Sequence, residues 1–213
     1  MIEVKTFTFN PFSENTFLVW EKESKQAAVI DPGCFSLEEE NELKDFILGK
    51  QLSLKYLLNT HCHLDHIFGN NFVLKEFQPQ YFIPELDKRL LKNAPTQAQM
   101  FDIEMANVQP AENFLSEDIT FNLGTDEMSF LFTPGHTPGE FCIYFPKNSF
   151  CFTGDVLFQN SIGRTDLPGG NSQTLLKSIR QKLFTLPEET IIYPGHGNSS
   201  TIGNEKRNNP FFI

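Results

Sequence analysis

The chain has 213 residues, enough for one large domain or two small ones with an ample core. Its 17 lysines and arginines against 27 aspartates and glutamates leave a net charge of −10, which argues against nucleic acid or an anionic membrane as partner. No apolar run approaches the roughly 20 residues that a membrane-spanning helix needs.

The first stretches read as strands: Ile2–Phe9, Thr16–Trp20 and Ala27–Ile30, rich in β-branched and aromatic residues and separated by turn residues at Asn10-Pro11 and Ser24-Lys25-Gln26. Asp31-Pro32-Gly33 ends the third. Ser36-Leu37-Glu38-Glu39 then opens a helix with an N-cap and an acidic first turn; Leu43, Phe46 and Ile47 form its apolar face and Gly49 stops it. A buried strand over 54–58 leads into Thr60-His61-Cys62-His63-Leu64-Asp65-His66. Asn71–Phe77 is expected as a helix and Tyr81–Ile83 as a strand. Residues 84–116 are expected to be mostly helical, with breaks at Pro95 and Pro110. Strands follow near Ile119–Phe121, Met128–Thr133, Phe141–Phe145 and Phe150–Thr153, then an amphipathic helix over Ser172–Phe184 and a last strand at Thr190–Tyr193. Strands with helices between them, twice over, predict an α/β (α+β) fold with two sheets packed face to face and helices outside.

All five histidines fall in three short segments. His61, His63 and His66 share one loop with Asp65; His136 lies in Thr133-Pro134-Gly135-His136-Thr137-Pro138-Gly139, and His196 in Tyr193-Pro194-Gly195-His196-Gly197. Thr153-Gly154-Asp155 supplies one more carboxylate. Imidazole nitrogen and carboxylate oxygen suit zinc and other first-row dications. Each loop follows the end of a strand, where sheets of this kind hold their sites. The spacing His-x-His-x-Asp-His is too tight for one helix face, so these ligands splay from an irregular loop and can serve two metals. A chance histidine-rich surface loop would lack the buried strand that precedes this one.

The four cysteines, Cys34, Cys62, Cys142 and Cys151, form no CxxC pair. Cys142 and Cys151 sit in expected strands, where a buried thiol is the ordinary reading. Cys62 lies between two ligands and is a weaker ligand candidate. The cysteine usage suits a reducing compartment, and Met1-Ile2-Glu3-Val4-Lys5 lacks the regions of a signal peptide, so a cytoplasmic protein is expected.

These residues resemble the metallo-β-lactamase-fold hydrolase superfamily over nearly the whole chain. The anchors are Asp31-Pro32-Gly33, His61-x-His63-x-Asp65-His66, Gly135-His136-Thr137, Gly154-Asp155 and Gly195-His196-Gly197. Gly163-Arg164-Thr165-Asp166 and the ending Asn208-Asn209-Pro210-Phe211 look most like the short, single-domain glyoxalase II-like branch. The resemblance implies an αββα sandwich of two mixed sheets flanked by helices, with residues 1–213 as a single domain and no C-terminal glutathione-binding helical domain. It also implies a ligand set: His61, His63 and His136 for one ion, Asp65, His66 and His196 for the other, and Asp155 bridging. Zinc is the favoured metal, with iron or manganese as alternatives. At the last histidine the longer enzymes carry a tyrosine two residues on; here that residue is Asn198.

Two dications can lower the pKa of a shared water toward about 7, and the hydroxide can then attack a carbonyl. A thiolate leaves readily, which suits a thioester, and the resemblance implies one of the S-2-hydroxyacylglutathione kind as the small-molecule substrate. Asp65 would be ligand and orienter of the hydroxide. Asp31 is a candidate acceptor for a ligand imidazole N–H, or only a turn-forming residue before Pro-Gly. Arg164 and Asn198 are candidate substrate contacts, Arg164 as a carboxylate clamp. The alternative for Arg164, slightly favoured, is an internal pair with Asp166. The runner-up activity is a mononuclear iron persulfide dioxygenase using His61, His136 and Asp155. The sequence sets no oligomeric state.

Overall fold

A computed structural model describes residues 1–213. The fold is mixed α/β, with two six-stranded mixed sheets and five α-helices. The chain divides into two compact units, Met1–Phe114 with Leu123–Asp126, and Leu115–Asn122 with Glu127–Ile213.

The first unit begins with β1 (Ile2–Phe9), β2 (Glu14–Glu21) and β3 (Gln26–Ile30), paired antiparallel in that order. β2 is longer than the sequence pattern suggests and is buried throughout. Helix α1 (Leu37–Gly49) crosses to β4 (Ser53–Leu58), which pairs parallel with β3. Its start is the capping box that the sequence indicates: Ser36 Oγ accepts from Glu39 N–H, and Glu39 Oε2 accepts from Ser36 N–H. Helix α2 (Asn70–Phe77) leads to β5 (Gln80–Ile83), parallel to β4. Buried strand residues and the inner helix faces build one core, with Phe7, Leu18, Trp20, Val29, Leu43, Ile47, Leu57, Val73 and Ile83 inside it.

The stretch 84–116 departs from the helical expectation. Helix α3 (Lys88–Gln99) is the only α-helix in it, and the chain then runs without regular structure to the short strand β6 (Asn113–Phe114), parallel to β5. Pro95 lies inside α3 rather than breaking it. It withholds an N–H from the Leu91 carbonyl, and burial of Leu91, Ala94 and Ala98 on one face offsets that cost. The irregular stretch is held by Met105, Val108 and Ala111 packing on the core and by Asn71. The Asn71 amide donates to the Asn107 carbonyl at 2.8 Å and accepts from Gln109 N–H at 2.9 Å. A stretch tied this way needs no periodicity, which is why the sequence pattern misleads there.

In the second sheet β7 (Thr120–Leu123) and β8 (Asp126–Phe132) form an outer hairpin, followed by β9 (Phe141–Phe145) and β10 (Phe150–Gly154). β10 pairs antiparallel with β9 and parallel with β13 (Ile191–Pro194). Between them lie the small hairpin β11 (Leu157–Phe158) and β12 (Ser161–Ile162) and helix α4 (Ser172–Ser178). The expected single helix over Ser172–Phe184 is α-helical only to Ser178, and Ile179–Leu183 forms a wider π turn. β14 (Ser200–Thr201) pairs antiparallel with β13, and helix α5 (Ile202–Asn208) follows. The core of this unit gathers Cys142, Cys151, Val156, Leu157, Leu175, Ile179, Leu183, Ile192 and Ile202. All four cysteines are buried free thiols. No helix is long and apolar enough to cross a membrane.

Candidate metal centre

In the first unit, the candidate ligands leave the carboxyl end of β4. His61 and His66 are fully buried, and His63 and Asp65 partly so. The His61 ring lies 4.1 Å from that of His66 and 4.9 Å from that of His63, centroid to centroid. His66 Nε2 is 3.8 Å from Asp65 Oδ2. Cys62 turns the other way, into the apolar core, where burial pushes its thiol well above the ordinary range. That placement takes it out of the ligand set.

Asp31 organises this loop. It ends β3 with a left-handed backbone (φ 49°), so it is the turn residue that Pro32-Gly33 suggests. Its side chain also accepts from Thr60 N–H at 2.7 Å, from the Thr60 hydroxyl at 2.6 Å, and from His66 Nδ1 at 3.1 Å. A carboxylate only accepts, so His66 carries its proton on Nδ1 and presents Nε2. The Thr60 hydroxyl has spent its hydrogen on Asp31, and its 3.1 Å contact with His61 Nδ1 therefore needs the imidazole N–H as donor. One aspartate thus sets the tautomers of two histidines, one of them through a threonine.

Two further residues steady the loop. The Asn10 amide donates to the Asp65 carbonyl and to the Gly33 carbonyl, both at 3.0 Å. Glu14, wholly buried in β2, accepts from the Thr16 hydroxyl at 2.9 Å and places Oε1 3.9 Å from His66 Nδ1. Burial is the main cause that drives the Glu14 carboxyl well above its ordinary value. Neither residue carries a sequence signal: Asn10 reads as a turn residue, and a lone glutamate before a strand reads as surface.

The second unit contributes three loops, each at a strand end. Gly135 precedes His136 with φ 139°, and a Cβ there would meet the Leu175 backbone nitrogen at 2.3 Å, so only glycine lets this loop pass helix α4. His136 is buried, and its Nδ1 lies 2.7 Å from the Arg164 carbonyl oxygen. A carbonyl only accepts, so the proton is on Nδ1 and Nε2 is the coordinating atom. Asp155 follows β10 and is positioned by its own N–H, which donates to Glu140 Oε1 at 2.8 Å. Glu140 is a fully buried carboxylate that sequence reading passed over. His196 follows β13 with a partly exposed side chain. Asp155 Oδ2 is 3.6 Å from His136 Nε2 and 3.6 Å from His196 Nε2. These separations are too long for hydrogen bonds. Ligand atoms that share a tetrahedral ion at about 2.0–2.2 Å stand roughly 3.4 Å apart, so each of these spacings suits an oxygen and a nitrogen that share an ion. The donor types and their tautomers therefore fit divalent metal.

The candidate substrate residues lie at the surface. The Arg164 guanidinium is exposed and forms a bidentate pair with Asp166, both bonds at 2.8 Å. Asn198 is exposed, with its amide 3.5 Å from Gln159 Oε1.

The family model of the metallo-β-lactamase superfamily matches residues 9–196. This chain belongs to that superfamily. It is 40% identical to hydroxyacylglutathione hydrolase GloC of Haemophilus influenzae, over 99% of this chain and 98% of that protein. Among solved structures, the BLEG-1 B3 metallo-β-lactamase superposes with a TM-score of 0.90 at 34% identity, covering 99% of this chain and 100% of that one. TTHA1623 in a di-iron-bound form gives 0.85 at 31%, covering 97% and 99%. ETHE1 from Myxococcus xanthus gives 0.77 at 28%, covering 98% of this chain and 83% of that one. The fold is therefore that of the metallo-β-lactamases, as the resemblance implied.

Proposed function

We propose that the chain is a cytoplasmic, metal-dependent thioester hydrolase of the hydroxyacylglutathione hydrolase type, formed as one functional domain. The observation that carries the reading is the 40% identity to GloC along almost the whole of both chains. The tautomers of His61, His66 and His136, all presenting Nε2, support it from the side of the metal.

In this reading His61, His63 and His136 would hold one ion and Asp65, His66 and His196 a second, with Asp155 available to both. Zinc is the first choice and iron the second, given the di-iron form of TTHA1623. When bound, such ions supply a water activated near neutral pH and polarise a carbonyl oxygen. The protein's own part is to hold the geometry. Asp65 would accept a hydrogen bond from the attacking water at its carboxylate and aim it. Asp31 and the Arg164 carbonyl keep the imidazoles from rotating. The site spends every histidine on metal, so the leaving group must depart without a general acid, and a thiolate can.

The second reading, a mononuclear iron persulfide dioxygenase, has the likeness to ETHE1 in its favour. One experiment separates them. The purified protein, loaded with zinc or iron and its metal content measured, is given S-lactoylglutathione, glutathione persulfide in an oxygen electrode, and a chromogenic β-lactam. Thioester cleavage without oxygen uptake is the expected result. Persulfide-dependent oxygen uptake without thioester cleavage overturns it in favour of the dioxygenase, and β-lactam cleavage alone moves the assignment to a lactamase.

A further inference from the structure

Helix α5 and the Asn208-Asn209-Pro210-Phe211 ending take no part in the site as described so far. They nevertheless hold a buried carboxylate, two of whose partners, Asn160 and Ser200, lie in the segments that pack beside His136 and His196. Glu205 is fully buried, and no cation touches it. Its Oε2 accepts from the Asn160 backbone N–H at 2.8 Å and from the Asn209 amide at 2.9 Å. Its Oε1 accepts from the Asn204 amide at 2.8 Å and from the Ser200 hydroxyl. The Asn209 amide also donates to the Ser161 carbonyl at 3.0 Å.

Asn160 and Ser161 belong to the β11–β12 hairpin. Its register sets Phe158 opposite Ser161 and Leu157 opposite Ile162. Gly163 N–H continues it onto the Val156 carbonyl at 3.3 Å. The next residue, Arg164, gives the carbonyl that accepts from His136 Nδ1. On the other arm, Ser200 opens β14, which closes the loop that carries His196. The Phe158 ring stands edge-on to the His196 ring at 6.4 Å.

We propose that Glu205 and Asn209 form a positioning clamp that fixes the β11–β12 hairpin, and through it the Arg164 carbonyl, so that His136 is locked with its proton on Nδ1 and His196 is held against the same hairpin. The metal part of this proposal rests on the reading of His136 and His196 as ligands; the tautomer part does not. Four donors converge on Glu205 and no acceptor does, so the carboxylate cannot be replaced by an amide: Gln would turn an NH₂ toward a donor. Asn209 works in the opposite sense, as a donor to two acceptors, and its own Oδ1 is taken by Phe211 N–H at 3.1 Å. The pattern Glu-x-x-x-Asn, running from α5 to the residue that ends it, is thus matched to a hairpin about 45 residues earlier in the chain, the separation of Asn160 and Glu205.

The test uses full-length Glu205→Gln and Asn209→Ala, with Arg207→Ala as control. Arg207, on the same helix as Glu205, forms an exposed pair with Glu188 in the turn before β13. The first readout is the imidazole nitrogen spectrum of metal-free, ¹⁵N-histidine-labelled protein, with the His136 signal assigned by His136→Gln. Wild type and Arg207→Ala should show a single Nδ1–H tautomer with a slowly exchanging proton. Glu205→Gln and Asn209→Ala should show fast exchange and a tautomer mixture. The second readout is zinc affinity by chelator competition, expected to weaken by about 10- to 100-fold in both clamp variants, as for other partners behind metal ligands. Both clamp variants folded, with the wild-type tautomer and wild-type zinc affinity, would overturn the proposal and leave a purely structural tail. If Glu205→Gln does not fold, Asn209→Ala decides alone. If wild type binds no zinc, the metal reading fails, and the tautomer measurement still decides the clamp.

Discussion

His136 Nδ1 lies 2.7 Å from the carbonyl oxygen of Arg164, so the residue that sequence marks for its guanidinium meets the candidate metal centre through its backbone. A backbone contact is blind to the side chain that carries it. Arg164→Ala should therefore keep full metal content. The neighbouring Gly163 is different. A Cβ there would fall 1.8 Å from the Asp155 carbonyl oxygen and 3.2 Å from His136 Cβ, so the loop must shift and take its carbonyl along. Gly163→Ala should lower metal affinity by about 10-fold or more, since the partner behind a ligating histidine is worth about that much. Elemental analysis after dialysis, and chelator competition, compare the two. Equal losses in both variants would mean that the carbonyl contact does not matter.

Asp155→Ala should lose more metal than His63→Ala or His196→Ala alone. In the proposed assignment it removes one ligand from each of two ions, and with it the negative charge that offsets their repulsion. The 3.6 Å separations from one carboxylate oxygen to His136 and His196 are the geometry behind this expectation. Metal-to-protein ratios measured under identical loading give the answer, and full occupancy in Asp155→Ala would refute the bridging role.

Asp31→Asn should weaken metal binding by about 10- to 100-fold without changing any ligand. The aspartate accepts three hydrogen bonds, from Thr60 N–H, the Thr60 hydroxyl and His66 Nδ1. An asparagine presents an N–H₂ to one of those donors, and the least costly relief is for His66 to move its proton to Nε2. That tautomer cannot ligate through Nε2. Zinc titration of folded Asp31→Asn reads the effect, and thermal melting should show a loss of about 1–3 kcal/mol from a buried donor left unmet. A variant that melts lower yet binds zinc as wild type would show that Asp31 serves only the turn.

The histidine loops were legible because they sit at the ends of apolar strands, and a run such as Leu54–Leu58 followed by His61 carries both signals in a few residues. The same pattern reading found α1, whose Ser36–Glu39 box is local chemistry. It failed where structure depends on distant partners. The hairpin Leu157–Phe158 with Ser161–Ile162 is two residues a side and has no period to detect. Residues 100–112 are ordered by Asn71 and by a few buried side chains, so their composition suggested helix where there is none. Glu140 and Glu205 look like surface glutamates in the sequence; each is buried because a backbone N–H from another loop requires an acceptor there. No spacing rule finds such a residue, since its partner is an amide group that every sequence contains.

Arg164 is expected to bind a substrate carboxylate by exchanging it for Asp166. The existing pair is bidentate but exposed, and water screens an exposed pair so that it adds little, so a substrate carboxylate can take over the same fork at little cost. The pair is intact near neutral pH. The Arg164 hydrogen bonds hold the Asp166 carboxyl down at about 2, below its ordinary 3.8, so its contribution is full above the ordinary value and lost only as pH falls through about 2. Competition between Asp166 and substrate is therefore constant across the assay range, and pH cannot relieve it. Mutation can. Asp166→Asn should lower KM for lactoylglutathione, which carries carboxylates on its thiol half, with kcat unchanged. Arg164→Ala should raise that KM, again with kcat unchanged, because the contact is the same in ground and transition states. Neither change should appear with a lactoyl thioester of a small uncharged thiol. Steady-state kinetics on both substrates with both variants make the measurement. Unaltered KM in all four combinations would mean that the guanidinium only braces its loop, and that the centre recognises its substrate by the thioester and acyl group alone.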